Sequence, residues 1–595
     1  MKKIFLIIIS AIALVGCTIE EEVISQSQPS TFYQTVPQCI TGLNGCYIPL
    51  RSIYANADYF EVCEAAADLI YYKSTSWYDA CANYTQSQPR FGSTIWNQGY
   101  LGVMRCNAMY AAIERAPLSE EEKAPLFAEC VILRAFYYYI LTINFGDVPY
   151  YFEEVTDANN DRIAQMPRKP ANELRTILMD ELEYWLLEKK ALPYIKTYDP
   201  ANEYRIGAMV GLTIAGKLAM WNKRFDRAIK FYKPIEEVYA SHAFSVGESG
   251  EAVYTIEDCL MPYPVKDIMF RNRYTAESIF EIPAYAKDYG FKVTHSLATR
   301  CMPSRKTNTT EGAVDDDVFD EENIDMSVRS DIYDGISIPE LGDNARVTAQ
   351  YKPTKYMYSS AEFKDYQGTQ VAKGLMPYNA KDKRRSVYDA TKVGTEDIVE
   401  IEDGGGWLAW CYKGRPLDTY GKVDMSQEPK LHFFGKLKNV ATGEPHLGDK
   451  FWCPGMVYTQ DSNNLKIFRF AHIVLDLAEA HMRCGNWDLA FKYQNATKNR
   501  AGRLDESDGG HADEELFMEN LQKESARELF GEFTRRHNLV RWGKWHDHIA
   551  RYAEYDIFRA NVKEGPCREY YPIPDVQVVL SNYNLDNKEY DKYGL

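Results

Sequence analysis

The sequence predicts a mostly helical protein whose helical pairs pack against an irregular, loop-rich part with a few short strands. Two observations carry that expectation. Long stretches repeat apolar residues at three- and four-residue intervals, whereas strand-like alternation is confined to short segments. From about residue 284 to 461 the text is instead rich in Gly, Pro, Asp and Lys, and long irregular stretches inside a large protein are usually functional loops or insertions.

The stretch Ala128–Tyr150 organises the chain. Val131, Ile132, Ala135, Tyr138, Tyr139 and Thr142 recur at helical spacing and form an apolar stripe. The other faces are nearly as apolar, with four consecutive aromatics from Phe136 to Tyr139. A helix apolar almost all round is buried on several sides. Gly146 supplies a left-handed stop, and Pro149 keeps the helix from resuming. Arg134 is a fixed charge set among these apolar residues, so it is expected to be buried and paired with an acid.

At the start of the chain, Lys2 and Lys3 precede an apolar run from Ile4 to Val15 that ends in Gly16-Cys17. A charged n-region with an apolar run too short to hold a bilayer marks a secretory leader. Leu14-Val15-Gly16-Cys17 fits a bacterial lipobox, L-x-(G/A)-C, which predicts cleavage before Cys17 and acylation of it. A plain secretory leader with an incidental cysteine is the alternative. Losing a leader that holds Lys2 and Lys3 and no acid takes the net charge from −17 to −19. A chain this acidic repels phosphates, which argues against nucleic acid as a partner. No other apolar run is expected to reach bilayer length, so the remainder should sit outside the membrane on its lipid tether. Thirteen cysteines, one of them in the lipobox, show no CxxC or other metal-type spacing. Export permits disulfides, and the spacing leaves their pairing open.

The first helix is expected within Ser30–Leu50, with Tyr33, Cys39, Leu43 and Tyr47 facing inward. Helical segments follow at Leu126–Phe145, Ala171–Glu188, Arg205–Asn222 and Phe225–Tyr239. The run Ala215–Trp221, then Arg224–Ala228, reads like a tetratricopeptide turn, where small residues let two antiparallel helices approach. The spacing is too irregular to establish repeats. Glu277–Pro283 alternates apolar and polar residues and is read as a strand. Asp315–Asp317 and Asp320–Glu322 offer the oxygen ligands that calcium prefers. They lack EF-hand spacing, so a solvated acidic loop is expected, with no cofactor beyond the lipid on Cys17. Helices are expected to resume at Asn464.

Several of these segments resemble one family. Arg134-Ala135-Phe136-Tyr137-Tyr138-Tyr139-x-Leu141 with Phe145-Gly146-Asp147-Val148-Pro149 looks like the R-A-x-x-Y-x-x-L…(Y/F)-G-D-V-P motif of the SusD/RagB family. These are outer-membrane, nutrient-binding lipoproteins of Bacteroidota. Trp96-x-x-x-Tyr100 with Asn107 is similar to the family's W-x-x-x-Y helix, where Asn107 is read as a helix-to-helix contact. Glu277–Ile282 and Lys466–Ala480 match further family segments. So does Asn499-Arg500-Ala501-Gly502, although Lys498 stands where Arg is usual. Glu524, Arg527-Glu528-Leu529, Glu532, Arg535-Arg536, Leu539 and Arg541-Trp542 follow E-R-x-x-E-L-x-x-E-x-x-R-x-x-D-L-x-R-(W/Y). There Ser525 and Asn538 replace an Arg and an Asp, which puts one ion pair in doubt and not the fold. Tyr571-Pro572-Ile573-Pro574 and Asn582–Tyr590 complete the pattern, with Asp586 in place of Gln.

The resemblance implies a tetratricopeptide-like helical solenoid packed against a less regular part. It also implies a domain plan: signal peptide 1–16, lipidated tether 17–30, helical region 31–275, and a C-terminal region 276–595 carrying the insert. The acidic run Glu20–Glu22 after the lipidated Cys17 is similar to the family's surface-export signal, although a solvated tether reads the same way.

Catalysis has to be argued from a site. The chain holds no G-x-S-x-G, H-E-x-x-H, G-x-x-x-x-G-K-(S/T) or G-x-G-x-x-G, and Gly404–Gly406 lacks a phosphate-loop context. His472 and His481 are nine apart, off metal spacing, and are read as packed or surface residues. Binding has a clearer basis, because the chain has 44 Tyr and 10 Trp. Sugar rings pack their C–H faces on aromatic planes while their hydroxyls take polar partners. Two aromatic clusters lie outside the periodic stretches. One is Tyr71, Tyr72, Trp77 and Tyr78 beside Asp79 and Asn83; the other is Trp407, Trp410 and Tyr412 beside Arg415. The alternative role for each is to pin long loops to the helices.

By resemblance, the protein would capture oligosaccharide at the cell exterior and deliver it to a SusC-like TonB-dependent transporter. Peptide delivery in the manner of RagB, and a surface glycan hydrolase, are the competing readings. Membrane attachment through acyl chains makes a direct expectation: Cys17→Ala should leave the protein unlipidated and lost from the outer-membrane fraction. Unaltered fractionation of that variant would count against the anchor.

Overall fold

The structure, a computed structural model, describes residues 32–55, 57–72, 83–193, 205–241, 277–284, 294–301, 350–359, 461–503 and 512–595, with short pieces between 260 and 453. Helix α1 (Val36–Tyr54) begins later than Ser30 and runs past Leu50. Its start is set at Thr35, whose amide donates to Gln38 Oε1 at 3.0 Å, with Pro37 in the first turn. Next comes β1 (Ile70–Tyr72), then α2 (Phe91–Arg115) and α3 (Glu120–Phe145). Helix α3 starts six residues before Leu126 because Ser119 and Glu122 cap each other. The Glu122 amide donates to Ser119 Oγ at 3.3 Å and the Ser119 amide to Glu122 Oε2 at 2.9 Å.

Every residue of α3 from Leu126 to Phe145 is buried. Length and composition alone would let this helix cross a bilayer, contrary to the expectation that no such run follows the leader. Its apolar window is buried inside the protein, so it is the core helix. Gly146 ends it at φ 70°, a conformation side-chain-bearing residues rarely adopt. Arg134 is 3% exposed. It pairs with Glu181 and donates to Asn107 Oδ1 at 3.0 Å, so Asn107 joins α2 to α3 as expected.

The helical pairs continue through α4 (Ala171–Glu183), α5 (Ala208–Trp221) and α6 (Phe225–Ser241). Residues Tyr184–Glu188, expected to extend α4, do so as a π-helical turn. At the close approach of α5 and α6, the Tyr232 ring lies against Gly216 and leaves no room for a Cβ. Tyr232 donates to Asp476 at 2.6 Å, and Lys217 pairs with the same carboxylate at 2.7 Å.

Strand β2 (Ser278–Ile282) follows, then β3 (Tyr351–Pro353), which pairs antiparallel with β1. The helix expected from Asn464 starts only at Phe470. Leu465–Arg469 form strand β4, antiparallel to β2, with Ser278 opposite Arg469 and Ile282 opposite Leu465. Every residue of both strands is buried, so their backbone groups pair with each other where no water can serve them. The two-residue pairs Phe363–Lys364 with Val371–Ala372 and Leu408–Ala409 with His446–Leu447 are the other described strands.

Helices α7 (Phe470–Arg483), α8 (Trp487–Arg500), α9 (Glu514–Glu528), α10 (Arg535–Arg541), α11 (Trp545–Tyr552) and α12 (Asp556–Glu564) complete the mostly helical fold. The C-terminal segment returns to the core helix, where the Tyr571 amide donates to Asn144 O at 2.7 Å. The nine described cysteines outside the leader are free thiols. His472 is buried against Glu532, and His481 stacks on Tyr493, so both are packing residues.

The irregular part is held by buried charge. Arg469 on β4 reaches Glu277 at 2.7 Å, Glu528 at 2.8 Å and Glu532 at 2.7 Å. Arg384 pairs with Asp382 at 2.7 Å, Glu524 at 2.8 Å and Glu528 at 3.0 Å, and Lys450 with Glu532 at 2.6 Å. Arg500 closes the set on Glu277 and Glu528. Ser525 is buried and Asn538 half-buried at the two substituted motif positions, and the fold stands without an ion pair there.

Burial alone would raise the Glu528 carboxyl, but Arg500, Arg469 and Arg384 hold it down to about 2. That lies below the unfolded value of about 4.3. Its stabilisation is therefore complete above about pH 4.3 and is lost as pH falls through the folded value. Glu528→Gln should flatten the acid limb of the stability profile between about pH 4.5 and 2 and cost about 3–5 kcal/mol at pH 7. Denaturant midpoints across that range check it; an unchanged acid limb would contradict it.

Candidate functional site

The pairing of β1 with β3 brings an early part of the chain beside the loop-rich part. Tyr71 lies opposite Lys352 and Tyr72 opposite Tyr351. Both tyrosines are buried, at 7% and 3% exposure. The Tyr71 ring meets Tyr555 edge-on at 5.7 Å, and Tyr72 meets Tyr351 at 5.5 Å, so both rings pack internally. Asn83 is exposed. Trp77, Tyr78, Asp79, Trp407, Trp410, Tyr412 and Arg415 lie outside the described residues, as do Gly404–Gly406 and the acidic runs 315–317 and 320–322. Among the described residues no group of three His, Cys, Asp or Glu side chains is placed to hold a metal ion.

Beyond β3 the chain turns through a short helix, Lys355–Tyr358. The Tyr356 ring there stacks on Tyr552 of α11, with centroids 3.9 Å apart and planes 8° from parallel. His548, one turn earlier on α11, meets the two rings edge-on at 6.1 and 5.4 Å. These three side chains line an open cleft of about 580 Å³ between α9 and α11. Trp542, Met518 and Gln522 line it too, and its rim is charged but balanced. Arg483 pairs with Glu514, Lys523 with Glu519 at 2.6 Å, and Arg551 with Asp547 at 2.9 Å.

The cleft floor rests on a buried ion pair. Arg535 of α10 donates through Nε and Nη2 to both oxygens of Asp68, each at 2.7 Å. His548 Nδ1 lies 2.7 Å from Asp68 Oδ2. Burial works to raise the Asp68 carboxyl, but the Arg535 guanidinium outweighs it and holds the group well below the usual carboxylate range. This contact fixes the His548 ring where it lines the cleft. Among the described residues the lining holds no serine, threonine or cysteine. A half-buried aromatic ring backed by another, a histidine held in place and a balanced polar rim suit a ligand with ring faces and many hydroxyls. Periodicity could not single out Tyr356, His548 and Tyr552. Their one sequence signal is aromatic density beside the insert.

Two family models match this chain, "SusD family" over residues 321–590 and "Starch-binding associating with outer membrane" over residues 21–173. A curated relative, SusD-like protein P25 of Formosa agariphila, is 22% identical over 594 residues, covering 96% of each chain. A SusD superfamily protein from Bacteroides vulgatus superposes with a TM-score of 0.62 at 16% identity, covering 93% of this chain and 99% of that one. The chain belongs to the SusD/RagB family. Surface glycan-binding protein A from Bacteroides thetaiotaomicron, solved in complex with laminarihexaose, shares the fold with a TM-score of 0.59 at 18% identity, over 93% of this chain and 99% of that one. In this SusD/RagB chain the second matched region lines the cleft, and the first supports it from beneath. Asp68 and β1 come from the first, and Tyr356 and α9 to α11 from the second.

Asp68→Asn should therefore cost about 3–5 kcal/mol, because Arg535 is left buried without its carboxylate. Urea denaturation measures it, and wild-type stability in the variant would show that this pair does not hold the floor.

Proposed function

We propose that this protein captures oligosaccharide at the outer face of the cell and delivers it, uncleaved, to a SusC-like TonB-dependent transporter in the outer membrane. The observation that carries the reading is the half-buried Tyr552 ring at the edge of a polar cleft, backed face-on by the buried Tyr356 ring. Stacked aromatic planes hold a sugar ring by its C–H face, and His548 with the paired rim charges supplies partners for its hydroxyls. The strand pair β1–β3 places the chain that leads to Trp77, Tyr78, Asp79 and Asn83 beside the one that leads to Tyr356. Those early residues, with Trp407, Trp410, Tyr412 and Arg415 from the insert, are the further contacts of this reading.

Family membership supports the delivery step and the outer-membrane location. The anchor assigned to it is the acylated Cys17, and the transporter is the partner to which the ligand passes. The glycan-binding neighbour solved with laminarihexaose supports a neutral glucan among the first ligands to try.

Titration of the purified protein against a panel of neutral glycans and peptides tests the reading. Tyr552→Ala and Trp77→Ala should each weaken glycan binding by about 1–3 kcal/mol, by analogy with stacking of bases on aromatic side chains. Their melting temperatures should stay close to the wild type, since Tyr552 is a half-buried ring at a helix end and Trp77 lies in a stretch of sequence with no helical period. Binding of peptides alone would move the assignment to the RagB-like role. Wild-type glycan affinity in both variants would remove the aromatic platform.

A further inference from the structure

The motif corner Phe145-Gly146-Asp147 and the returning C-terminal segment enclose a second cavity, of about 330 Å³, that shares no lining residue with the cleft. One wall is Arg175 of α4, which is 6% exposed. Its Nε donates to Thr142 Oγ1 at 3.3 Å and its Nη2 to Thr142 O at 3.1 Å. The guanidinium lies 4.8 Å from the Trp221 ring centroid. Among the described residues no carboxylate stands within ion-pair distance of it, and Nη1 has no hydrogen-bond partner.

Most of the buried guanidiniums in this molecule do have a carboxylate. Arg134, Arg384, Arg469, Arg500 and Arg535 are equally buried, and each has its acid. Burial is the main influence on Arg175 and pulls its pKa down to about 10, with Tyr570, Tyr139 and Asp147 opposing only in part. A second buried guanidinium, Arg536, lies 5.0 Å from the ring of Tyr571, which lines the same cavity. Arg536 reaches only Tyr84 Oη and the carbonyls of Arg568 and Glu569. The acids around the cavity are engaged elsewhere. Asp147 accepts from the Ala171 amide at 2.8 Å, Glu589 pairs with Arg168 at 3.3 Å, and Glu569 lies 3.7 Å from His546. A buried cation lacking its counterion is costly, and a ligand bearing that counterion relieves the cost.

We propose that this cavity is a binding site for a small carboxylate, received by Nη1 and the remaining N–H of Nη2 of Arg175. The planar guanidinium receives a planar carboxylate through two parallel hydrogen bonds. The carboxylate is that of a free organic acid or of a uronic acid unit. The site stands independently of the glycan reading of the cleft.

Thermal melting of the full chain with millimolar sodium acetate or sodium glucuronate, against sodium chloride at equal ionic strength, tests this. A ligand that binds only the folded state raises the melting temperature. A saturable rise of a few degrees is expected for the wild type, a smaller one for Arg175→Lys, and none for Arg175→Gln. Tyr552→Ala should keep the full rise, which separates this site from the cleft. A response to acetate and glucuronate alike assigns a free acid group, and a response to glucuronate alone assigns the uronic acid. No saturable rise in the wild type, an equal rise with sodium sulfate, or a full rise in Arg175→Gln would overturn the proposal.

Discussion

The fold depends on a buried charge network centred on Arg469 and Glu528. Taking several charges out of water together is expensive, and the set repays that only when each partner is present with good geometry. The three acids of the C-terminal motif, Glu524, Glu528 and Glu532, lie four residues apart and receive cations from four directions. Arg469 arrives on a strand, Arg500 on a helix, and Arg384 and Lys450 from the loop-rich part. These charge pairs act together with apolar contacts from the same part, such as Phe451 against Phe60 and Phe530. Removing one member strands several others, so the network specifies a position for the insert as well as contributing energy.

The helical side is held differently. Core helix α3 is enclosed by neighbours and ends at a glycine with positive φ, and its buried Arg134 is met by Asn107 and Glu181. Close approach at Gly216 lets the next pair stack, and Asp476 ties that pair to α7. The molecule thus has an apolar, aromatic scaffold on one side and a charge-docked irregular part on the other. The cleft lies where the two meet. Its floor is a paired Arg535–Asp68 buried under aromatic rings, and its rim charges are largely matched in pairs. Such a surface favours neutral, hydroxyl-rich ligands over charged ones, because neither sign of charge is left in excess.

Arg175 shows the same physics in reverse. The network supplies Arg469, Arg384, Arg500 and Lys450 with acids, whereas Arg175 at the motif corner stands beside a cavity without one among the described residues. The two sites differ accordingly: the cleft is aromatic with paired rim charges, and the cavity holds a buried guanidinium that no described acid neutralises.

Much of this architecture was readable in the linear sequence. Helical periodicity placed α3 to α6, and Gly146 marked the stop of α3. A lone arginine in an apolar helix required a partner, because a charge cannot stay buried alone. Local pattern could not tell that Leu465–Arg469 would be a strand, since its pairing with Ser278–Ile282 spans nearly two hundred residues and its apolar residues run on into α7. The aromatic clusters raised from composition divided in the same way. Tyr71 and Tyr72 occupy a strand whose partner is almost three hundred residues away, and that pairing buried them. His548 and Tyr552 share a face of α11, but they meet Tyr356 only when the short helix after β3 packs on them. The sequence by itself determined which segments are helical and which charges need partners, because periodicity and desolvation act along the chain. Only the tertiary structure decided which rings face a ligand, because exposure is set by whatever distant segment folds over them.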